Sequence, residues 1–398
     1  MHNKSRRFHL LPYYTDRIIL AAVLILAIFG AFMIGSAEMS VAAGDMSIII
    51  KGVGKQLLFV IIGLMVMAFL TNHSVFHLTE EALYKYGFWV VVVSLLLTRA
   101  FPPAGGAYAW IRIGPFGIQP SEFAKVYIII LAAKLLGTDH GRVENYKNFL
   151  RIIASAVTMV FIIFIVQKDF GSALVLAGIS FIILLVPRRR EFMFIQSRML
   201  MLMVAGIVLA LFILSPLGTK FLANFGGYQI GRFLSSADPF KYQFNSGYHL
   251  VMSLVSFTTG GLFGLGYGCS IHKYMNFPNP DNDFILPVIV EELGLVFGFI
   301  PVIVLYGMVV IPLMRYALKT TIVRQKIVFV GVFMYFSLHF ILNVGGVSGL
   351  IPLTGVPLLL LSSGGSSALA CLSAIGIAQS EIIIFRRSLK DASSSGEI

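Results

Sequence analysis

The stretch 152–186 reads "IIASAVTMVFIIFIVQKDFGSALVLAGISFIILLV", and within it only Lys168 and Asp169 carry charge. A transmembrane helix needs about 20 largely apolar residues. With their apolar neighbours, the runs on either side of "QKDFGS" reach that length. They read as two spans, 149–166 and 171–187, joined by a tight turn at one membrane face. The whole chain repeats this pattern. Of 398 residues 58% are hydrophobic and only 12% charged, whereas soluble domains carry about 25% charged residues. The expected fold is an all-α polytopic membrane protein with ten transmembrane helices, near 17–38, 54–71, 84–100, 121–136, 149–166, 171–187, 198–216, 284–314, 326–347 and 366–385. The chain is expected to form a single integral membrane domain, 1–398. Its first apolar stretch is long enough to span and lacks a small-residue cleavage site.

Orientation follows from the basic residues. Alternate loops hold Lys134, Arg142, Lys147 and Arg151, then Arg188, Arg189, Arg190 and Arg198, then Arg315, Lys319, Arg324 and Lys326. Lys4, Arg6 and Arg7 at one end, and Arg386, Arg387 and Lys390 at the other, belong to the same side. Cytoplasmic tails at 1–16 and 386–398 satisfy the positive-inside rule for all of these loops at once. The net charge of +12 is therefore dispersed between spans, which argues against a nucleic-acid partner. Cys269 and Cys371 have no spacing suggestive of a metal site or disulfide framework and read as free thiols.

The opposite face holds the irregular segments. A large extracytoplasmic loop, 217–283, separates the seventh and eighth spans and is rich in Gly, Phe and Tyr. Segments 101–120 and 350–365 are apolar but broken by Pro and Gly. Such backbone is tolerated at membrane depth only where protein covers it or water reaches it. Together the three are expected to roof one extracytoplasmic cavity.

With only 18 acidic residues in the chain, those at or inside spans mark candidate function, because an ionisable group there is costly unless paired or wetted. Asp283 precedes "FILPVIV", where position alone favours a helix N-cap. Asn282 and Asp281 would cap equally well, so a general base at the cavity rim is the second reading. Glu122 and Lys125 are three apart on one helix face, suited to an ion pair or to phosphate binding. Asp169 at the "QKDFGS" turn is read as a cap. Of Glu291 and Glu292, one is expected to face the cavity and the other to pair with a neighbouring span or cap a kink. The glycine runs at 258–268 and 361–370 lack the flanking elements of a nucleotide loop and read as sites of close helix approach.

At these motifs the chain resembles the SEDS family (shape, elongation, division and sporulation), of which RodA and FtsW are members. The matching stretches are collinear: "WIRIGPFGIQPSEFAK" (110–125), "QKDFGSALV" (167–175), "GGLFGLGYG" (260–268), "DFILPVIVEELG" (283–294) and "LIPLTGVPLLLLSSGGSS" (350–367). "NVGGVSGLIPLTG" (343–355) looks more FtsW-like than RodA-like. The resemblance implies a ten-span lipid II polymerase making β-1,4 glycan strands outside the bacterial cytoplasmic membrane. It also implies a class B penicillin-binding protein as crosslinking partner, alongside other divisome or elongasome membrane proteins. Asp283 matches the family's catalytic aspartate, Glu122, Lys125 and Asp169 its cavity residues, and Glu291 and Glu292 its following acidic pair. The sequence departs at Asn279 (usually Glu), Asn282 (Thr), Lys168 (Pro), and His249 and Met252 (Gln), marking a divergent member.

The chemistry so implied needs a base for the attacking 4-hydroxyl, assigned to Asp283. Charge developing on the diphosphate leaving group would be met by Lys125, Lys273, Arg232 or Arg112, or by a divalent cation such as Mg or Mn. The alternatives are a flippase for the lipid-linked precursor and a non-enzymatic division scaffold. A transporter needs access from both faces, whereas the polar and broken segments here collect on one.

Overall fold

The computed structural model describes residues 14–394 except 43–44, 115, 216, 219–233, 237, 245–246, 276 and 278. Helices α1 (Arg17–Ala42) and α2 (Met46–Asn72) come first. A π turn (Ala82–Gly87) then leads into α3 (Phe88–Leu97). A two-stranded antiparallel hairpin follows, β1 (Ile111–Ile113) and β2 (Phe116–Ile118). Next come α4 (Pro120–Gly137), α5 (Arg142–Phe161), α6 (Phe170–Leu185) and α7 (Met193–Leu214). The remainder comprises α8 (Tyr248–Gly260), α9 (Ile285–Gly294), α10 (Ile300–Lys319), α11 (Val323–Val347) and α12 (Gly365–Ser394).

Among the described residues, eight helical stretches are long and apolar enough to cross a membrane, so the chain is a multi-pass membrane protein. The eight do not include α6, which has only 16 residues, or α4, which carries Glu122, Lys125 and Lys134 in 18 residues. The helical content agrees with the expected class, but two details correct it. Segment 101–120 contains the β-hairpin rather than irregular chain alone, with Gly114 turning at φ +58°. The loop 217–283 contains α8, and the tail from 386 begins as a continuation of α12 to Ser394.

The central element is α12, most of which is buried, whereas the apolar stretch of α7 has no buried residue. α12 packs along α2 and also touches α11 and α4. A Cβ on Gly376 would lie 2.7 Å from Met67 O, so glycine permits this close approach. α11 packs on α10, α4 and α6, and α4, α5 and α6 pack on one another.

The break between α9 and α10 is a π turn at Leu295–Phe299 following Gly294, whose φ is +74°. The glycine run after α8 fits against it. Leu265 and Gly266 N–H donate to the Glu291 and Glu292 carbonyls (2.9 and 2.8 Å), and Leu295 and Val296 N–H donate to Gly261 and Leu262 (3.0 Å each). Two irregular segments thus satisfy each other's backbone, as membrane depth requires.

The basic loops gather at one end. Arg189 Nη2 donates to Thr138 O (2.9 Å), Arg324 pairs with Glu381 (3.4 Å), and Lys134 donates to Phe76 O (2.8 Å). At the same end Asp16 caps α1 by accepting from Ile18 N–H (2.9 Å) and pairs with Arg386 (2.8 Å). Gln379 completes this clasp, accepting from Asp16 N–H at 2.8 Å and donating to Asp16 O at 3.0 Å. Gln379→Leu leaves the Asp16 N–H buried and unmet, while Asp16 O keeps Leu20 N–H (3.2 Å), and should destabilise by about 1–3 kcal/mol. A lower melting temperature of the detergent-solubilised protein checks this; an unchanged one would show that Gln379 does not hold the start of α1.

Candidate active site

α11 organises the opposite half of the molecule. Tyr335, His339 and Asn343 recur every four residues and so share one face of it. All three are buried. Tyr335 donates its hydroxyl to Glu122 Oε2 (2.8 Å). His339 Nδ1 lies 3.0 Å from Pro357 O, which can only accept, so Nδ1 carries the hydrogen. Nε2 is then free to accept from Lys125 Nζ at 3.2 Å. Asn343 Nδ2 donates to Val356 O and to Asp283 O, both at 2.8 Å.

Glu122 and Lys125 form an ion pair of 2.6 Å, with side chains essentially inaccessible. Pro120 opens α4, which fixes the helix start and places Glu122 in the first turn. Asp169 serves as the N-cap of α6, accepting from Ser172 N–H at 3.0 Å. It also accepts from Gln119 Nε2 at 3.0 Å, tying the starts of α4 and α6 together. Gly171 meets the next layer: a Cβ there would lie 2.5 Å from Thr354 O. The starts of α4 and α6 therefore abut the 354–357 segment that α11 also holds.

Asp283 lines a small cleft whose walls include Phe284, Asn343, Val347, Thr354 and Gly355. A Cβ on Gly355, whose φ is +69°, would lie 3.7 Å from Asp283 Oδ2. The helix α9 starts at Ile285 with Phe284 in the capping position and no side-chain cap. Asp283 is therefore not the N-cap that position alone suggested. Its neighbour Asp281 is held by the 362–364 segment, whose Ser363 N–H donates to Asp281 O (2.7 Å). Burial raises the Asp281 carboxyl above its usual range, offset by hydrogen bonding and by Lys55 nearby. The His249 ring contacts Phe284, with centroids 5.8 Å apart.

The acidic pair on α9 belongs elsewhere. Glu291 accepts from Ser270 Oγ (2.6 Å) and Ile271 N–H (3.0 Å), and contacts His272 Nδ1 (2.7 Å). Glu292 pairs with Lys273 at 2.6 Å, and both bond Ser36 Oγ of α1. The pair locks the 265–275 loop to α9 and α1, and neither carboxylate lines the Asp283 cleft. Lys273, expected at the diphosphate, is consumed in this buried pair. Arg112 is exposed on β1, and Arg232 lies outside the described residues. Among the described residues no three His, Cys, Asp or Glu side chains gather to hold a metal ion, so these residues do not build a protein cage for Mg or Mn.

Over residues 16–382 the chain matches the cell cycle protein family FtsW/RodA/SpoVE. It belongs to that family. Stage V sporulation protein E of Bacillus subtilis is 31% identical over 372 residues, covering 91% of this chain and 95% of that one. A protein of the same organism named probable peptidoglycan glycosyltransferase FtsW is 32% identical over 374 residues, covering 91% and 89%. Among solved structures, a chain of a peptidoglycan synthase complex that coordinates polymerization and crosslinking superposes with a TM-score of 0.68 at 23% identity, covering 93% of this chain and 98% of that one. Thermus thermophilus RodA superposes at 0.60 and 23% identity, covering 94% and 97%. Two departures from the family pattern sit at left-handed backbone, Lys168 (φ 59°) and Asn279 (φ 47°). Proline, with φ fixed near −65°, does not fit the turn that Lys168 makes here.

Removing one partner of a buried pair leaves an uncompensated charge, which costs about 3–5 kcal/mol. Lys125→Met should therefore collapse stability, and Glu122→Gln combined with Lys125→Met should recover much of it. Melting temperatures of the two variants decide the matter: equal losses would deny that the pair is coupled.

Proposed function

We propose that this chain is a peptidoglycan glycosyltransferase that polymerises lipid II into β-1,4 glycan strands at the outer face of the bacterial cytoplasmic membrane. The observation that carries the reading is the position of Asp283, which lines a small cleft and has its backbone fixed by Asn343. Relatives named peptidoglycan glycosyltransferase FtsW, about 30% identical over nine-tenths of the chain, support the same activity. A class B penicillin-binding protein is the proposed partner, with other divisome or elongasome membrane proteins around it. The membrane topology proposed is ten spans with both termini cytoplasmic, α4 and α6 counting as spans because partners cover their charges and short length. Residues 217–283 would be the large extracytoplasmic loop of a single membrane domain. The gathering of basic loops at one end, away from Asp283, supports this orientation.

In the reaction, Asp283 accepts the proton of the acceptor sugar's 4-hydroxyl. The oxygen attacks the donor's anomeric carbon from the face opposite its α-linked diphosphate. The carbon–oxygen bond to the diphosphate breaks, its electron pair leaves with the phosphate, and inversion gives the β linkage. No second carboxylate has to protonate the leaving group, unlike in a glycosidase. Glu122, Lys125 and Asp169 act from the supporting layer, through the 354–357 segment and α11.

Asp283→Asn should lower polymerisation by about 10²–10⁴-fold, the usual contribution of a general base. The measurement is glycan synthesis from purified lipid II by the full chain with its transpeptidase partner. Undiminished product removes Asp283 from the reaction. A wild-type complex that moves lipid II across vesicles without polymerising it would favour the flippase. Loss of product with the complex still assembled excludes a mere scaffold.

A further inference from the structure

Gln167 gathers three elements at the end of the molecule away from the basic loops. Its side chain is buried, and Nε2 donates to Leu95 O (2.9 Å) and Thr98 Oγ1 (3.2 Å) at the end of α3. Its carbonyl accepts from Tyr108 N–H at 2.7 Å, which ties in the segment before the β-hairpin. Arg99 follows Thr98 and Lys168 follows Gln167, so these bonds bring Arg99, Tyr108 and Lys168 into one surface patch. The Arg99 guanidinium lies over the Tyr108 ring, 3.7 Å from its centre. Hydrogen bonding and charge from Arg99, with the charge of Lys168, hold the Tyr108 phenol below its usual range.

Both cations are exposed, and among the described residues neither forms an ion pair. Asp169, beside Lys168, is engaged with Ser172 N–H and Gln119 Nε2 instead. A cation at the end of α3 complements the helix dipole, which accounts for Arg99. It does not account for Lys168, which directly precedes the α6 cap, where the dipole disfavours positive charge. Lys168 also sits in left-handed backbone, φ 59°, which side-chain-bearing residues rarely adopt. The positive-inside rule gives cations no reason to gather at this end. An anion held between the two would remove both objections, and a guanidinium laid on a ring keeps its N–H donors for a phosphate.

The surface below the patch says which anion. Leu96 and Leu97 on α3 lie within one turn of Arg99 and are exposed, as is Val93 one turn further down. Phe164 and Ile165 stand in the same relation to Lys168, on the π turn Ile162–Val166 against which α3 packs. A soluble anion has no use for that apolar surface, whereas acyl chains do. None of the three patch residues lines the Asp283 cleft. We propose that Arg99, Tyr108 and Lys168 bind the phosphodiester headgroup of an anionic phospholipid of the outer leaflet, whose chains lie on the exposed faces of α3 and the Ile162–Val166 turn. The proposal rests on the membrane orientation given above and not on the chemistry at Asp283. The bound lipid would join the end of α3 to the start of α6 from outside, as Gln167 joins them from within.

The test places the full chain in phosphatidylcholine vesicles containing a trace of a photoactivatable lipid, with a diazirine in one acyl chain. The probe is phosphatidylglycerol in one arm and phosphatidylcholine in the other, and the labelled peptides are mapped by mass spectrometry. Peptides covering 88–99 and 161–170 should take the phosphatidylglycerol probe in preference, by about 5-fold for each charge engaged. Arg99→Gln with Lys168→Asn, an asparagine being tolerated in left-handed backbone, should bring the two probes to parity there. Labelling at 315–326, at the other end of the molecule, should not change. Equal labelling by both probes in wild type overturns the site whether or not the double variant folds. Preference retained in a folded double variant overturns it as well. Displacement of the probe by inorganic phosphate would assign the patch to a soluble anion, and displacement by lipid II better than by unlabelled phosphatidylglycerol would assign it to the substrate; either result sinks the phospholipid.

Discussion

The pairing of Glu122 with Lys125 is the constraint on which this structure turns. Both groups are buried, and each oxygen and nitrogen is answered: Oε1 by Lys125, Oε2 by Tyr335, and Nζ by His339 as well. An exposed ion pair is worth about 0–1 kcal/mol, but a buried one broken on one side costs several times more. The orientation of α11 is therefore set by this polar requirement together with close packing, as where Gly331 meets Ile129. Once Tyr335 and His339 are engaged, Asn343 arrives at Asp283 by helix geometry alone. The Glu122–Lys125 layer and Asp283 are joined through one face of α11.

A second constraint comes from the backbone. The α9–α10 break and the glycine run after α8 leave main-chain groups open where no water is assured, and each segment completes the other. Gly264 sits there at φ +79°, where a Cβ would lie 2.2 Å from Glu292 O. Glu291 and Glu292 then bolt the outer part of the same loop to α9 and α1. The 265–275 loop is held by paired charges as well as by its backbone.

Much of this was legible in the chain, for reasons that differ by feature. Spans announce themselves by composition, and eight of the ten expected segments fall in helical stretches long and apolar enough to cross a membrane. Glu122 and Lys125 were readable as neighbours because three residues on a helix bring side chains together. The hairpin at 111–118 was not, since its strands are three residues each and the alternation is lost among Pro and Gly. α8 was hidden in a loop whose apolar content is mild. The partners of Glu291, Glu292 and Lys273 lie across the sequence at Ser36 and Ser270, and no local spacing reports such contacts. Tyr335, His339 and Asn343 were the missed signal: polar residues every four positions in an apolar helix mark a buried polar face. The cap at Asp283 failed because helix starts are fixed by backbone geometry, which here begins two residues later.

The Glu122 network also bears on how such a chain enters a bilayer. Tyr335 follows Glu122 by 213 residues and His339 follows Lys125 by 214. A chain synthesised from its N-terminus therefore forms α4 while these two charges hold only each other. Both charges lie in the first two turns of α4, and their mutual pairing leaves Glu122 Oε2 and part of Lys125 Nζ without a partner. The polar network of α4 is incomplete until α11 supplies the remaining partners. A nascent chain halted before α11 would carry a conspicuous polar defect in the lipid, a mark by which incomplete molecules differ from finished ones.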